Sequence, residues 1–119
     1  MFGLEKLEVW QKAIDFADSV YNATKRFPRE ELSGITMQMR RASASISLNI
    51  AEGTSRTSPK DQAHLEIAYG SVNEVVSAAH LACRQDHLDE QQVKAVRSDA
   101  MRLCRMLSGL RKSALARAK

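Results

Sequence analysis

The chain has 119 residues, enough for one domain that builds a core without cross-links. Hydrophobic residues make up 44% and charged residues 27%, which excludes a disordered or fibrous protein, and five glycines with two prolines favour long helices. The net charge is +4, no apolar run of about 18 residues could cross a bilayer and no signal peptide is read at the start, so the expected compartment is the cytoplasm.

Apolar residues that alternate at spacings of three and four predict four helices. The first, expected over 5–26, carries Leu7, Trp10, Ile14, Ala17, Tyr21 and Thr24, and Phe27-Pro28 ends it because proline biases its predecessor out of the helical region. The second, over 30–52, carries Leu32, Ile35, Met39, Ala42, Ile46 and Asn49, with Gly53 expected as a left-handed C-terminal residue. The third, over 59–84, opens at Ser58-Pro59-Lys60-Asp61 with a serine cap and a proline at the first helical position. Its seam is Leu65, Ala68, Val72, Val75, Ala79 and Ala82. The fourth, over 90–115, has an Asp89 cap, Gln92 placed for a capping box, and Leu88 and Val93 spaced as a hydrophobic staple. Its seam is Val93, Val96, Ala100, Leu103, Leu107 and Leu110, followed by a tail expected to fray. The connections are short, so the reading is all-α: one antiparallel up-down-up-down four-helix bundle spanning 1–119. Cys83 and Cys104 fall well over 10 Å apart along the axis of such a bundle, too far for a disulfide, and are read as reduced packing thiols.

Two helices lack the charge of an outward face. Residues 32–51 hold only Arg40 and Arg41, and residues 67–83 only Glu74. Behind the seam of helix two lie Met37, Ala44, Leu48 and Ala51, and behind that of helix three Ile67, Gly70, Ala78 and Leu81. Helix one carries a second strip as well, Val9, Ala13, Phe16 and Val20. So much surplus apolar surface predicts self-association, with Met37, Ala44, Leu48, Ile67, Gly70, Ala78 and Leu81 as the interface. A polar line of Gln38, Arg41, Ser45, Asn49 and Glu52 is matched on helix three by Ser71 and Glu74. It reads as a structural seam in which Arg41 pairs with Glu52 or Glu74, since a buried charge must be paired. A polar binding groove is the other reading.

No catalytic, cofactor or metal constellation is visible. Of His64, His80 and His87, the first two point to different sides of helix three and neither has a His or Cys partner at i+4, and His64-Leu65-Glu66 lacks the cysteine pair that a zinc deaminase needs. Glu-x-x-His pairs, Gly-rich phosphate loops and nucleophile elbows are all missing, so the chain is read as no enzyme. The basic excess lies in residues 89–119, with eight basic and three acidic side chains. Lys94, Arg97, Arg102, Arg105 and Lys112 project opposite the seam of helix four, a candidate nucleic-acid-binding face. No aromatic residue is interleaved with them in the sequence, so base stacking is not expected.

The segment from Gln38 to Gly53, QMRRASASISLNIAEG, resembles the signature of the 23S rRNA intervening-sequence protein family, also called the four helix bundle protein family. Gly70-Ser71-Val72-Asn73-Glu74 and Leu7-Glu8-Val9-Trp10-Gln11-Lys12 resemble its second mark and its opening, while Ser47 stands where the family often has proline. The resemblance implies a pentameric ring of bundles with no enzymatic activity. It also implies RNA or DNA as partner, as in the accessory proteins of diversity-generating retroelements, together with a reverse transcriptase or a ribosome-associated protein. Two functions remain open at this point: a nucleic-acid-associated adaptor, or a structural or protein-interaction oligomer with no nucleic-acid role.

Overall fold

Four helices arise where the seams predict them. The computed structural model describes residues 2–54 and 62–118. A 3-10 turn at Gly3–Lys6 leads into α1 (Glu8–Thr24), and a second at Arg29–Glu31 leads towards α2 (Ile35–Thr54). Then come α3 (Ala63–Arg84) and α4 (Glu90–Ala118), with no strand among the described residues. Each helix packs on its sequence neighbours and α1 also meets α4, which closes an antiparallel bundle of 48 × 25 × 22 Å. The α2–α3 pair shares the most extensive contact. The core runs through Met39, Ala42, Ile46 and Ile50 of α2, the whole predicted seam of α3, and Val93, Ala100, Leu103 and Leu107 of α4.

Helix α1 departs from expectation. Its buried side chains are Val9, Ala13, Phe16 and Val20, the strip read as surplus, together with Thr24 of the expected seam, while Ile14 and Tyr21 of that seam lie outside at 41% and 42% exposure. Both strips have helical spacing, so periodicity cannot choose between them; packing does. Phe16 fills the centre of the bundle at 1% exposure. Tyr21 lays its ring under the Arg40 guanidinium, 5.0 Å from the ring centre. Arg40 Nε also donates to buried Thr24 Oγ1 at 2.8 Å, tying α2 to α1.

The element boundaries shift for identifiable reasons. The α1 helix starts at Glu8, after the 3-10 turn, and α2 starts at Ile35 because Pro28 is followed by another such turn rather than by helix. Gly34 N–H bonds Glu31 O at 2.9 Å before the first α-type bond, Gln38 N–H to Gly34 O at 3.0 Å. Leu32 therefore falls outside the core, 56% exposed. Gly53 is no left-handed cap, since no glycine has positive φ and α2 continues through Thr54. A Cβ at Gly53 would stand 2.8 Å from Leu65 Cδ2 and 3.0 Å from its Cγ. Glycine lets the first turn of α3 approach the end of α2. The expected Ser58 cap lies outside the described residues. At the other end α4 runs helical to Ala118.

Two caps appear in full. Asp89 N–H donates to Gln92 Oε1 at 2.9 Å while Gln92 N–H donates to Asp89 Oδ1 at 2.7 Å, the expected capping box. Leu88 and Val93 are both buried beside it. Helix α3 ends in a Schellman turn, with His87 N–H to Ala82 O at 2.8 Å and Asp86 N–H to Cys83 O at 3.0 Å. Asp86 takes the left-handed position at φ 63°. An L side chain is strained there, and an acid at a helix C-terminus opposes the helix dipole. Asp86→Gly is therefore expected to stabilise the fold by about 1 kcal/mol, read as a rise in the urea midpoint at unchanged m-value. Cys83 and Cys104 are free and half-buried.

Candidate nucleic-acid interface and the exposed face of α2 and α3

The α4 helix presents Lys94, Arg97, Arg102, Arg105 and Lys112 to solvent, all exposed, as its sequence predicts. At about 1.5 Å rise per residue, Lys94 to Lys112 spans roughly 27 Å. The five do not share one surroundings. Arg102 leans towards α1 into a cleft with Lys12, Asp15 and Asp99, where two carboxylates offset the cations. Arg97 and Arg105 lean towards α3. Among the described residues, Lys94, Arg97, Arg105 and Lys112 form no ion pair. Arg111 pairs with Glu66 of α3 at 2.6 Å.

Between α3 and α4 the side chains open a groove that helix four alone could not reveal. Tyr69 of α3 lies in it, 40% exposed. On one side of the ring is a cavity of about 380 Å³ lined by Asn73, Arg97, Met101, Cys104 and Arg105 among others. On the other is one of about 310 Å³ lined by Glu66, Ser108 and Arg111. The Tyr69 phenol is raised above its ordinary value, first by Coulombic interaction with Cys104, then by a hydrogen bond to Cys104 and by desolvation, with Ser108 opposing. At neutral pH the ring is uncharged and brings no anion into the basic groove. An aromatic residue thus stands beside the α4 cations, although none is interleaved with them in the sequence. It comes from the neighbouring helix, where residues 67–83 carry no Lys or Arg to mark it.

The polar line on α2 divides in two. Its centre is a hydrogen-bonded bridge to α3. Ser71 Oγ bonds Ser45 Oγ at 3.0 Å, Asn49 Nδ2 donates to Ser45 O at 2.9 Å and to Ser45 Oγ at 3.0 Å, and His64 Nδ1 meets Asn49 Oδ1 at 3.1 Å. His64 enters this bridge although the sequence did not single it out for it. Gln38, Arg41, Glu52 and Glu74 are exposed instead. Arg41 and Glu52 are eleven residues apart on one helix, about 16 Å of rise, which no side-chain pair can bridge within the chain. The Arg41 contact is with Met37 Sδ at 4.0 Å, at the surface. The expectation of a buried, paired Arg41 is therefore corrected.

Around that bridge the apolar strips lie open. Leu48, Ile67 and Leu81 are 65%, 51% and 53% exposed, Met37 and Gly70 are also exposed, and Ala44 and Ala78 are half-covered. The bridging contacts set α2 and α3 in antiparallel register, which brings Leu48 level with Ile67 and Met37 level with the Ala78 turn. A Cβ built on Gly70 meets nothing within 4 Å in this chain. No group of three or more His, Cys, Asp or Glu that could hold a metal occurs among the described residues, and no described helix is long and apolar enough to cross a membrane.

Fold and surface together define a small antiparallel four-helix bundle with a basic helix on one side and an uncovered apolar face on another. The profile of the 23S rRNA-intervening sequence protein family matches residues 5–109, and the chain belongs to that family. The bundle is similar to the crystal structure of a protein of unknown function from the S23 ribosomal protein family of Bacteroides thetaiotaomicron. The two share 25% identity with a TM-score of 0.79, over 87% of this chain and 95% of the other. No curated protein matches the chain.

Proposed function

We propose that the protein is a non-enzymatic, oligomeric adaptor of the cytoplasm that binds the backbone of RNA or DNA through the basic face of α4. The observation that carries this reading is the row of exposed cations Lys94, Arg97, Arg105 and Lys112, which no described carboxylate pairs. Phosphates are the polyanions such a row fits, and binding them releases counterions. The family's name, which refers to an intervening sequence of 23S rRNA, supports the same choice. The open α2–α3 face supports self-association, and a closed ring of five subunits is the assembly we favour. A ring repeats the basic row once per subunit, so weak contacts sum to useful affinity. A reverse transcriptase or a ribosome-associated protein is the class of protein partner that this adaptor would serve.

Replacing Arg97, Arg105 and Lys112 together by glutamine tests the face. The variant is expected to keep its helicity and assembly but to bind RNA and DNA more weakly. Its salt slope should be shallower by roughly 2 units, since each lost phosphate contact removes about 0.7–0.9. Parental affinity with the parental slope would remove this face from consideration. If the parent itself shows no salt-dependent binding, an interaction oligomer without nucleic acid is the function that remains.

A further inference from the structure

The sequence of α4 alone describes a surface that reads only charge, but the groove beside it adds a ring. Among the described residues Tyr69 is the one aromatic side chain lining either α3–α4 cavity, and exposed Met101 lies across from it, so an apolar platform is set among arginines. Large apolar groups left in water at a charged surface mark a place where something apolar docks. A ligand that fits must be flat and aromatic at its centre and anionic on its flank. We infer that the α3–α4 groove takes an unpaired base of a single-stranded nucleic acid, stacked against Tyr69, with Arg97 and Arg105 on the adjoining phosphates.

This rests on the basic-face reading and refines it from nucleic acid in general to unpaired strands. Arg97 and Arg105 line the same cavity as the ring and are eight residues apart, about 12 Å along α4. They can therefore hold separate phosphates of one strand rather than clamp a single anion. Asn73, on the same wall, offers an amide donor and acceptor to the edge of a base. A cavity of about 380 Å³ is at the small end of ligand-sized clefts and admits a base with its sugar. A duplex cannot enter it, and its bases are already stacked and paired. Arg111 on the far side is held by Glu66, so the free cations lie towards Arg105 and Arg97, which sets the side on which the strand continues. Stacking tolerates any base, so little sequence preference is expected.

The test is fluorescence anisotropy on the full chain with four labelled probes: oligo(dT), oligo(U), an abasic deoxyribose-phosphate strand of the same length, and a DNA duplex. The parent should bind the two base-bearing strands more tightly than the abasic one. Tyr69→Ala should lose about tenfold or more on oligo(dT) and oligo(U), with little change on the abasic strand or the duplex. Tyr69→Phe should behave as the parent, and helicity should be equal in all three proteins. Equal affinity of the parent for abasic and base-bearing strands, or no effect of Tyr69→Ala, overturns the stacking inference. If in either case the triple glutamine variant still loses binding, the basic-face reading survives. Displacement of oligo(dT) by poly-glutamate at matched charge would assign the groove to an acidic polypeptide and also overturn the inference. Failure of all four probes to bind overturns both readings.

Discussion

Phe16→Ala is expected to destabilise the bundle by about 3–5 kcal/mol in urea unfolding, the cost of removing a large buried ring from a core that relaxes only in part. The ring is 1% exposed and sits among core side chains of the other helices. Ile14→Ala, two residues away and on the outer strip of α1, is expected to cost under about 1 kcal/mol. The pair of variants decides which strip of α1 faces inward. Similar losses for the two would mean that α1 is rotated relative to the structure described above. A domain of this length has a stability of roughly 6–18 kcal/mol, so the Phe16 variant should still fold and its transition should remain measurable.

The second large effect is on association. Under the assembly proposed above, Leu48→Glu is expected to convert the oligomer to monomers while far-ultraviolet circular dichroism stays at the parental level. Leu48 is 65% exposed in the single chain, level with Ile67 across the α2–α3 pair. A carboxylate there costs the monomer little, because it stays in water. Buried between subunits without a partner, it would cost several kcal/mol at every copy of the interface. Sedimentation velocity at micromolar concentration reads the outcome directly. A parent that is monomeric across that range, or a variant that assembles as the parent does, rejects the proposed face.

Much of the bundle was legible in the residues. The seams of α3 and α4 were readable because each keeps an unbroken three-four apolar spacing along its helix, and the Asp89–Gln92 box because both partners lie within four residues. The start of α2 was misplaced because Leu32 continues its apolar period, while the local hydrogen bonds after Pro28 favour a 3-10 turn. The role of Gly53 was misread for a different reason. Glycine at a helix end suggests a left-handed cap, but here its use is steric, set by Leu65 twelve residues further on.

Local spacing, capping and charge determined how many helices form, the charge they carry and the class of bundle they make. Tertiary packing decided the rest. Two stripes on α1 satisfy the same period, and only the space left by the other three helices admits Phe16 rather than Ile14 and Tyr21. The same holds for the candidate site. The cations of α4 all lie on one helix and can be read from it, whereas Tyr69 reaches them only through the antiparallel register of α3 against α4. Periodicity describes one helix at a time; a groove belongs to two, and its contents are fixed by how they pack.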